Sequence, residues 1–117
     1  MRASDLIASE RQFCRGNFAV STDSINATFT YPGVNLETGV CQAVKWDLQG
    51  ALIRCYEPSE SREIIELAKK RLAERNANVG ITGRGKVYAN LAEFNDMAPF
   101  KDVIEFLTKL EDAYETK

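Results

Sequence analysis

Val44-Lys45-Trp46-Asp47-Leu48-Gln49-Gly50-Ala51-Leu52-Ile53-Arg54-Cys55-Tyr56 is the one amphipathic run of the chain that is apolar on more than one side. On a helical period Val44, Leu48, Ala51, Leu52 and Cys55 fall on one stripe, which Tyr56 extends. Trp46, Gly50 and Ile53 fall on a neighbouring face. A glycine inside a helix costs about 1 kcal/mol against alanine unless another element approaches its bare backbone. The stretch therefore predicts a central helix over 44–56 with partners on two sides.

Working outward, Glu57-Pro58-Ser59 separates this helix from a second one. Proline cannot continue the first helix, and Ser59 can cap the next. The spacing predicts a helix from Glu60 to Arg75 that buries Ile64, Ile65, Ala68 and Leu72. So short a connection predicts a helical hairpin. Asn76 to Gly80 is expected to end it, and Gly80-Ile81-Thr82-Gly83-Arg84-Gly85-Lys86 reads as a glycine-rich basic loop. Val87, Leu91 and Phe94 then favour a short helix, Asn95-Asp96 breaks the pattern, and Pro99 opens a last helix. Its stripe is Phe100, Val103, Ile104, Leu107, Leu110 and Tyr114.

On the other side, Ser4 to Phe13 predicts a first helix capped by Ser4 and stopped near Gly16. Between Asn17 and Tyr31 the period changes to alternation, at Phe18 and Val20 and again at Ile25, Ala27, Phe29 and Tyr31. The polar turn between them makes a β-hairpin of 17–31. Pro32-Gly33 ends it, and 34–42 reads as a loop. The fold class is α+β: a mainly helical single domain, 1–117, with four to five helices around 44–56 and one small hairpin.

Composition bounds the function. The 117 residues, 44% hydrophobic and 27% charged, are ordinary for one globular domain able to bury a core without metals or disulfides. A formal charge of −2 offers no general basic field, so nucleic acid is disfavoured. Cys14, Cys41 and Cys55 are an odd number at wide spacing, which fits a reducing compartment, and no secretory leader or membrane span is read. Cytoplasm is the expected location. The absence of histidine from the sequence excludes Ser-His-Asp, Cys-His and histidine-based zinc sites. No cofactor and no metal site is expected.

A few residues could still carry chemistry or binding. Gly80 to Lys86 matches G-x-x-x-x-G-K without the final hydroxyl residue of a nucleotide-binding loop, and it follows a helix where such a loop follows a strand. Its Gly80-Ile81-Thr82-Gly83 core, with Arg84 and Lys86, also has the form of a single-strand RNA loop, but the strands of that fold are missing. A turn-rich connection is the plainer reading. Cys14 beside Arg15 could have a lowered thiol pKa, against the plainer role of a helix-end residue. Asp96 and Asp102 flank the last helix, where capping is the ordinary role. Trp46 is the one tryptophan, a core residue or an exposed anchor. Asn26-Ala27-Thr28 has the glycosylation pattern, incidental without a secretory signal.

Three stretches in order, Phe13-Cys14-Arg15-Gly16, Gly50-Ala51-Leu52 and Phe94-Asn95-Asp96 with Val103-Ile104 after it, resemble a family of small bacterial and phage proteins known only as a domain of unknown function. The family's pattern is G-W-C after the first helix, G-A-L in a central helix and W-N-D before the last. Phe13 and Phe94 replace its tryptophans, Trp46 lies where a cysteine is usual, and the 17–31 hairpin is insertion-like. The resemblance implies a cytoplasmic, mostly helical accessory protein of phage or mobile-element neighbourhoods, and supplies no reaction.

Two classes of function fit these residues. One is a non-enzymatic protein-interaction or accessory module acting on a host or defence protein. The other is a small-molecule or phosphate-binding protein, or an enzyme, using the 80–86 loop or the Phe94-Asn95-Asp96 corner. The candidate ligand or partner residues are Arg84, Lys86, Asn95, Asp96 and Trp46, with no catalytic residue assigned. A homodimer through an exposed face of the last helix is compatible with the sequence.

Overall fold

Asp47 decides where the helix expected over 44–56 begins. In the computed structural model, which describes residues 1–16, 45–116 and the backbone of 19–20, its carboxylate accepts the Gly50 N–H at 2.6 Å and caps a helix, α2, that spans Leu48–Cys55. The expected helix over 44–56 is thus shorter at its start: Lys45–Trp46 is a strand, β2, paired antiparallel with β1, Ala19–Val20. The cause is the aspartate side chain, which competes with helical backbone bonding from inside a helix and is stabilising at its cap. The second strand of the expected hairpin, 25–31, and the 34–42 loop lie outside the described residues.

Five α-helices are described, and the architecture is mainly helical. The first, α1, covers Ala3–Leu6, and a single 3₁₀ turn follows at Glu10–Gln12. The continuous helix expected from Ser4 to Phe13 is broken because Ser9 turns its hydroxyl to the Arg11 N–H and starts a new turn. Ser4 is not the cap; Arg2 holds that position.

Helix α3 spans Pro58–Thr82, longer at both ends than the expected Glu60–Arg75. Glu57, not Ser59, caps it through a reciprocal box with Glu60, and Pro58 sits where no N–H is required. Asn76 to Gly80 does not stop it. The first residue with a left-handed backbone is Gly83, φ 72°, whose N–H closes on the Val79 carbonyl at 2.8 Å. At 1.5 Å per residue this helix of 25 residues is roughly 37 Å long.

The next helix, α4, is displaced from the expected 87–94 to Leu91–Met97, because the Asn90 side chain caps it by accepting the Glu93 N–H at 2.8 Å. Asn95 and Asp96 lie within it. The last, α5, runs Phe100–Glu115 from Pro99, with Val103, Leu107 and Leu110 fully buried and Phe100, Ile104 and Tyr114 packed at the core's edge.

One core joins these elements. Helix α2, with Leu48, Ala51 and Leu52 fully buried, packs against α1, α3 and α4, while α5 packs against α1, α3 and α4 from the other side. Aromatic rings stitch the seams: Phe13 meets Phe100 at 5.1 Å, and Phe94 lies between Tyr88 at 5.3 Å and Phe106 at 4.9 Å. No described helix is long and apolar enough to cross a membrane.

Candidate functional site

The polar residues singled out in the sequence fall into two separate places. The first is a junction where α4 holds the segment Phe13 to Gly16 against the start of α2. Asn95, 1% exposed, accepts the Leu48 N–H at 3.0 Å, and its amide nitrogen donates to the Cys14 carbonyl at 3.2 Å and to Asp96 Oδ1 at 3.0 Å. Asp96 Oδ1 also accepts the Gly16 N–H at 2.8 Å. The Arg15 guanidinium crosses the other way, donating to the carbonyls of Asn95 at 2.7 Å and Ala98 at 3.0 Å while stacking on Phe13. Asp96 therefore does not cap the last helix; its carboxylate is taken by the glycine turn at Gly16, φ 84°.

Trp46 borders this junction from the core side. It is 7% exposed, its carbonyl accepts the Cys14 N–H at 3.0 Å, and its backbone bridges to Phe13. An exposed anchor it is not.

Electrostatics single out Asp47. Burial, reinforced by the negative Asp96 and only partly offset by the N–H groups of Gly50 and Gln49, pushes its carboxyl up to about 7. The Cys14 thiol is pushed up to about 12 by burial and by Asp47, so Arg15 does not activate it. Burial likewise takes Cys55 up to about 11. A carboxyl near 7 beside a thiol is the sort of pair that marks catalytic sites. Here its Oδ1 is committed to the helix cap. A groove of about 430 Å³ between α3 and α5 and another of about 380 Å³ beside Leu72 and Leu91 open on the described surface, and these two are not lined by Asp47, Cys14 or Asn95. Among the described residues no three metal-binding side chains gather around one point.

The second place is the end of α3. Arg84 and Lys86 are exposed there, in a loop whose backbone is pinned by Arg75 donating to the Lys86 carbonyl at 3.0 Å. Asn76 clips Tyr88 through both backbone groups, at 2.8 and 3.2 Å, and Arg75 covers the rings of Tyr88 and Phe94. Of the expected 80–86 loop, the first three residues are helical. The loop therefore leaves a helix from its C-terminus, where the free backbone groups are carbonyls, the wrong polarity for a phosphate cradle.

One buried group escaped the sequence reading altogether. Glu111 is fully buried in α5 and accepts the Ala3 N–H at 2.7 Å, the Ser4 N–H at 2.8 Å and the Tyr56 hydroxyl at 2.5 Å. It caps α1 from across the core, supplying the acceptor that α1's own sequence lacks. Burial and the adjacent carboxylate raise the Tyr56 hydroxyl pKa above its ordinary value, keeping the proton in place. The signal was present: Glu111 stands four residues after Leu107, on the apolar stripe itself.

The fold is mainly helical, and at both places polar side chains hold backbone groups of other segments. No protein-family model matches the chain, and comparison with curated proteins and with solved structures finds no match.

Proposed function

We propose that the chain is a non-enzymatic protein-interaction or accessory module, of phage or mobile-element origin as the family resemblance implies, acting on a host or defence protein. The observation that supports this reading is the division of labour among its polar groups. Asn95, Asp96, Asp47 and Cys14 are spent on holding the segment 14–16, α2 and α4 together, whereas Arg84 and Lys86 stand exposed at the outer end of α3. A group whose lone pairs are taken by backbone N–H donors has little capacity left for substrate. The short α2 serves in this reading as scaffold, its buried Ala51 and Leu52 packed into the core.

Affinity capture from a bacterial lysate tests the proposal, with retention of a defined partner expected. Failure to retain any protein above background would overturn it. The competing small-molecule reading is met by a thermal-shift screen against nucleotides and phosphorylated metabolites. A ligand at 100 times its dissociation constant stabilises by about 2.7 kcal/mol, easily read as a rise in Tm. Such a rise would favour a ligand-binding protein, with the 80–86 loop the first place to map it.

A further inference from the structure

Charge on this chain is not spread evenly. Between Lys69 and Lys86 lie six of its fifteen basic residues, Lys69, Lys70, Arg71, Arg75, Arg84 and Lys86, against a single acid, Glu74, of seventeen. An acidic protein thus carries one strongly basic segment. The same segment outruns the core: Leu72 is the last buried residue of α3, and none of residues 73–82 is buried. The end of the helix also exposes aliphatic surface, with Ile81 84% and Val87 57% accessible.

Stabilisation of the helix accounts for only part of this. A cation in or just after the last turn offsets the negative end of the helix dipole, which explains Arg84 and Lys86. It does not reach Lys69, Lys70 and Arg71, three turns upstream. Nor does pairing absorb the charge: Lys69 meets Glu66 at 3.1 Å on the surface, and Arg75 is engaged with the Lys86 carbonyl. No carboxylate lies within ion-pair distance of Lys70, Arg84 or Lys86 among the described residues.

We infer that residues 69–88 form a preorganised docking arm for an acidic protein surface that offers a small apolar pocket. This rests on the interaction-module reading and names the surface and the partner's chemistry. Free cations steer an anionic partner and set the association rate, while Ile81 and Val87 supply the desolvated contacts that slow dissociation. The clip between Asn76 and Tyr88 and the Arg75 bond to Lys86 hold the arm in shape before binding, which lowers the ordering cost. A nucleic-acid partner fits less well, because the aromatic residue of the arm, Tyr88, is 5% exposed and unavailable for base stacking. A bilayer fits less well too, since interfacial helices present a continuous apolar face and this arm presents two isolated side chains.

The experiment is a titration of isotopically labelled full-length protein, followed by backbone amide shifts, with a short synthetic peptide of glutamate, aspartate and leucine. Its comparators are the same peptide with serine for leucine, a single-stranded oligonucleotide, a duplex, and phosphatidylserine vesicles. Expected are shifts confined to 69–88, weaker binding of the serine peptide, and affinity that falls as salt rises. The triple variant Lys70→Glu, Arg84→Glu, Lys86→Glu, folded as judged by circular dichroism, should bind at least about tenfold more weakly. Ile81→Ser with Val87→Ser should erase the preference for the leucine peptide. Shifts elsewhere, absence of peptide binding up to about 1 mM, an unaffected triple variant, or tighter binding of oligonucleotide or vesicle would each overturn the inference. Capture with wild type and triple variant in parallel separates the two levels. A partner retained by both would sink the arm and leave the interaction module standing, and no partner for either would sink the module itself.

Discussion

Asp47 is 4% exposed, and its carboxyl is raised from 3.8 to about 7 by burial and by Asp96. The folded state therefore binds this proton more tightly than the unfolded chain. Linkage then makes acid stabilising: the contribution is complete below about pH 4, declines as pH rises toward 7, and is gone above it. Asp47→Asn keeps an oxygen for the Gly50 N–H and removes the titration. Relative to wild type it should gain about 3 kcal/mol between pH 5 and pH 8. Urea unfolding at the two pH values checks this; a constant difference would mean that Asp47 is charged throughout. Glu111 is the opposite case, a buried acceptor with three donors on it. Glu111→Ala strands the N–H groups of Ala3 and Ser4 and the Tyr56 hydroxyl in the core, and the cost should be about 3 to 5 kcal/mol. A loss below 1 kcal/mol in chemical unfolding would show that water replaces the carboxylate.

Elements differ in how far their own residues specify them. The stripe of α5 was legible because Phe100, Val103, Leu107, Leu110 and Tyr114 repeat over about four turns, and the core face of α3 was legible through Ile64, Ile65, Ala68 and Leu72. Their ends were not, because caps depend on side chains whose partners are local but optional. Pro58 and Glu57 started α3 in preference to Ser59, and Asn90 drew α4 three residues onward to include Asn95 and Asp96. Asn95 is a poor helix former by propensity, and its place in α4 is secured by Leu48 and Cys14, residues far away in sequence. The same non-locality hid the junction: the sequence picked out Asn95 and Asp96 but had no means of pairing them with Arg15 and Gly16. The continuation of α3 gives a sharp test. Gly80 is helical, and a Cβ there meets nothing within 4 Å. Gly80→Ala should therefore stabilise by about 0.5 to 1 kcal/mol, read as a raised Tm, whereas a flexible loop at 80 would leave Tm unchanged.

At the scale of the molecule, one core carries both ends of the described chain. Ala3 and Ile7 are fully buried and Leu6 nearly so, packed against α2 and α5, and Arg2 reaches the Thr108 carbonyl at 3.1 Å and Asp112 at 2.8 Å. This short segment, which contains α1, packs against both α2 and α5, so its loss is felt throughout. Removing residues 1–7 withdraws two large aliphatic side chains at about 2 kcal/mol or more each. It also strips Glu111 of the Ala3 and Ser4 N–H donors and of Arg2, leaving it Tyr56. Domains of this size have about 6 to 15 kcal/mol of stability in total. The truncated chain should therefore be largely unfolded or lose its cooperative transition, as measured by circular dichroism across a urea series. Adding Glu111→Leu to the truncation removes the orphaned charge, and should recover part of the lost stability although the same substitution harms the full-length chain. Reversal of sign between the two backgrounds would establish that Glu111 exists to cap α1; equal effects in both would assign it to the helix bundle alone.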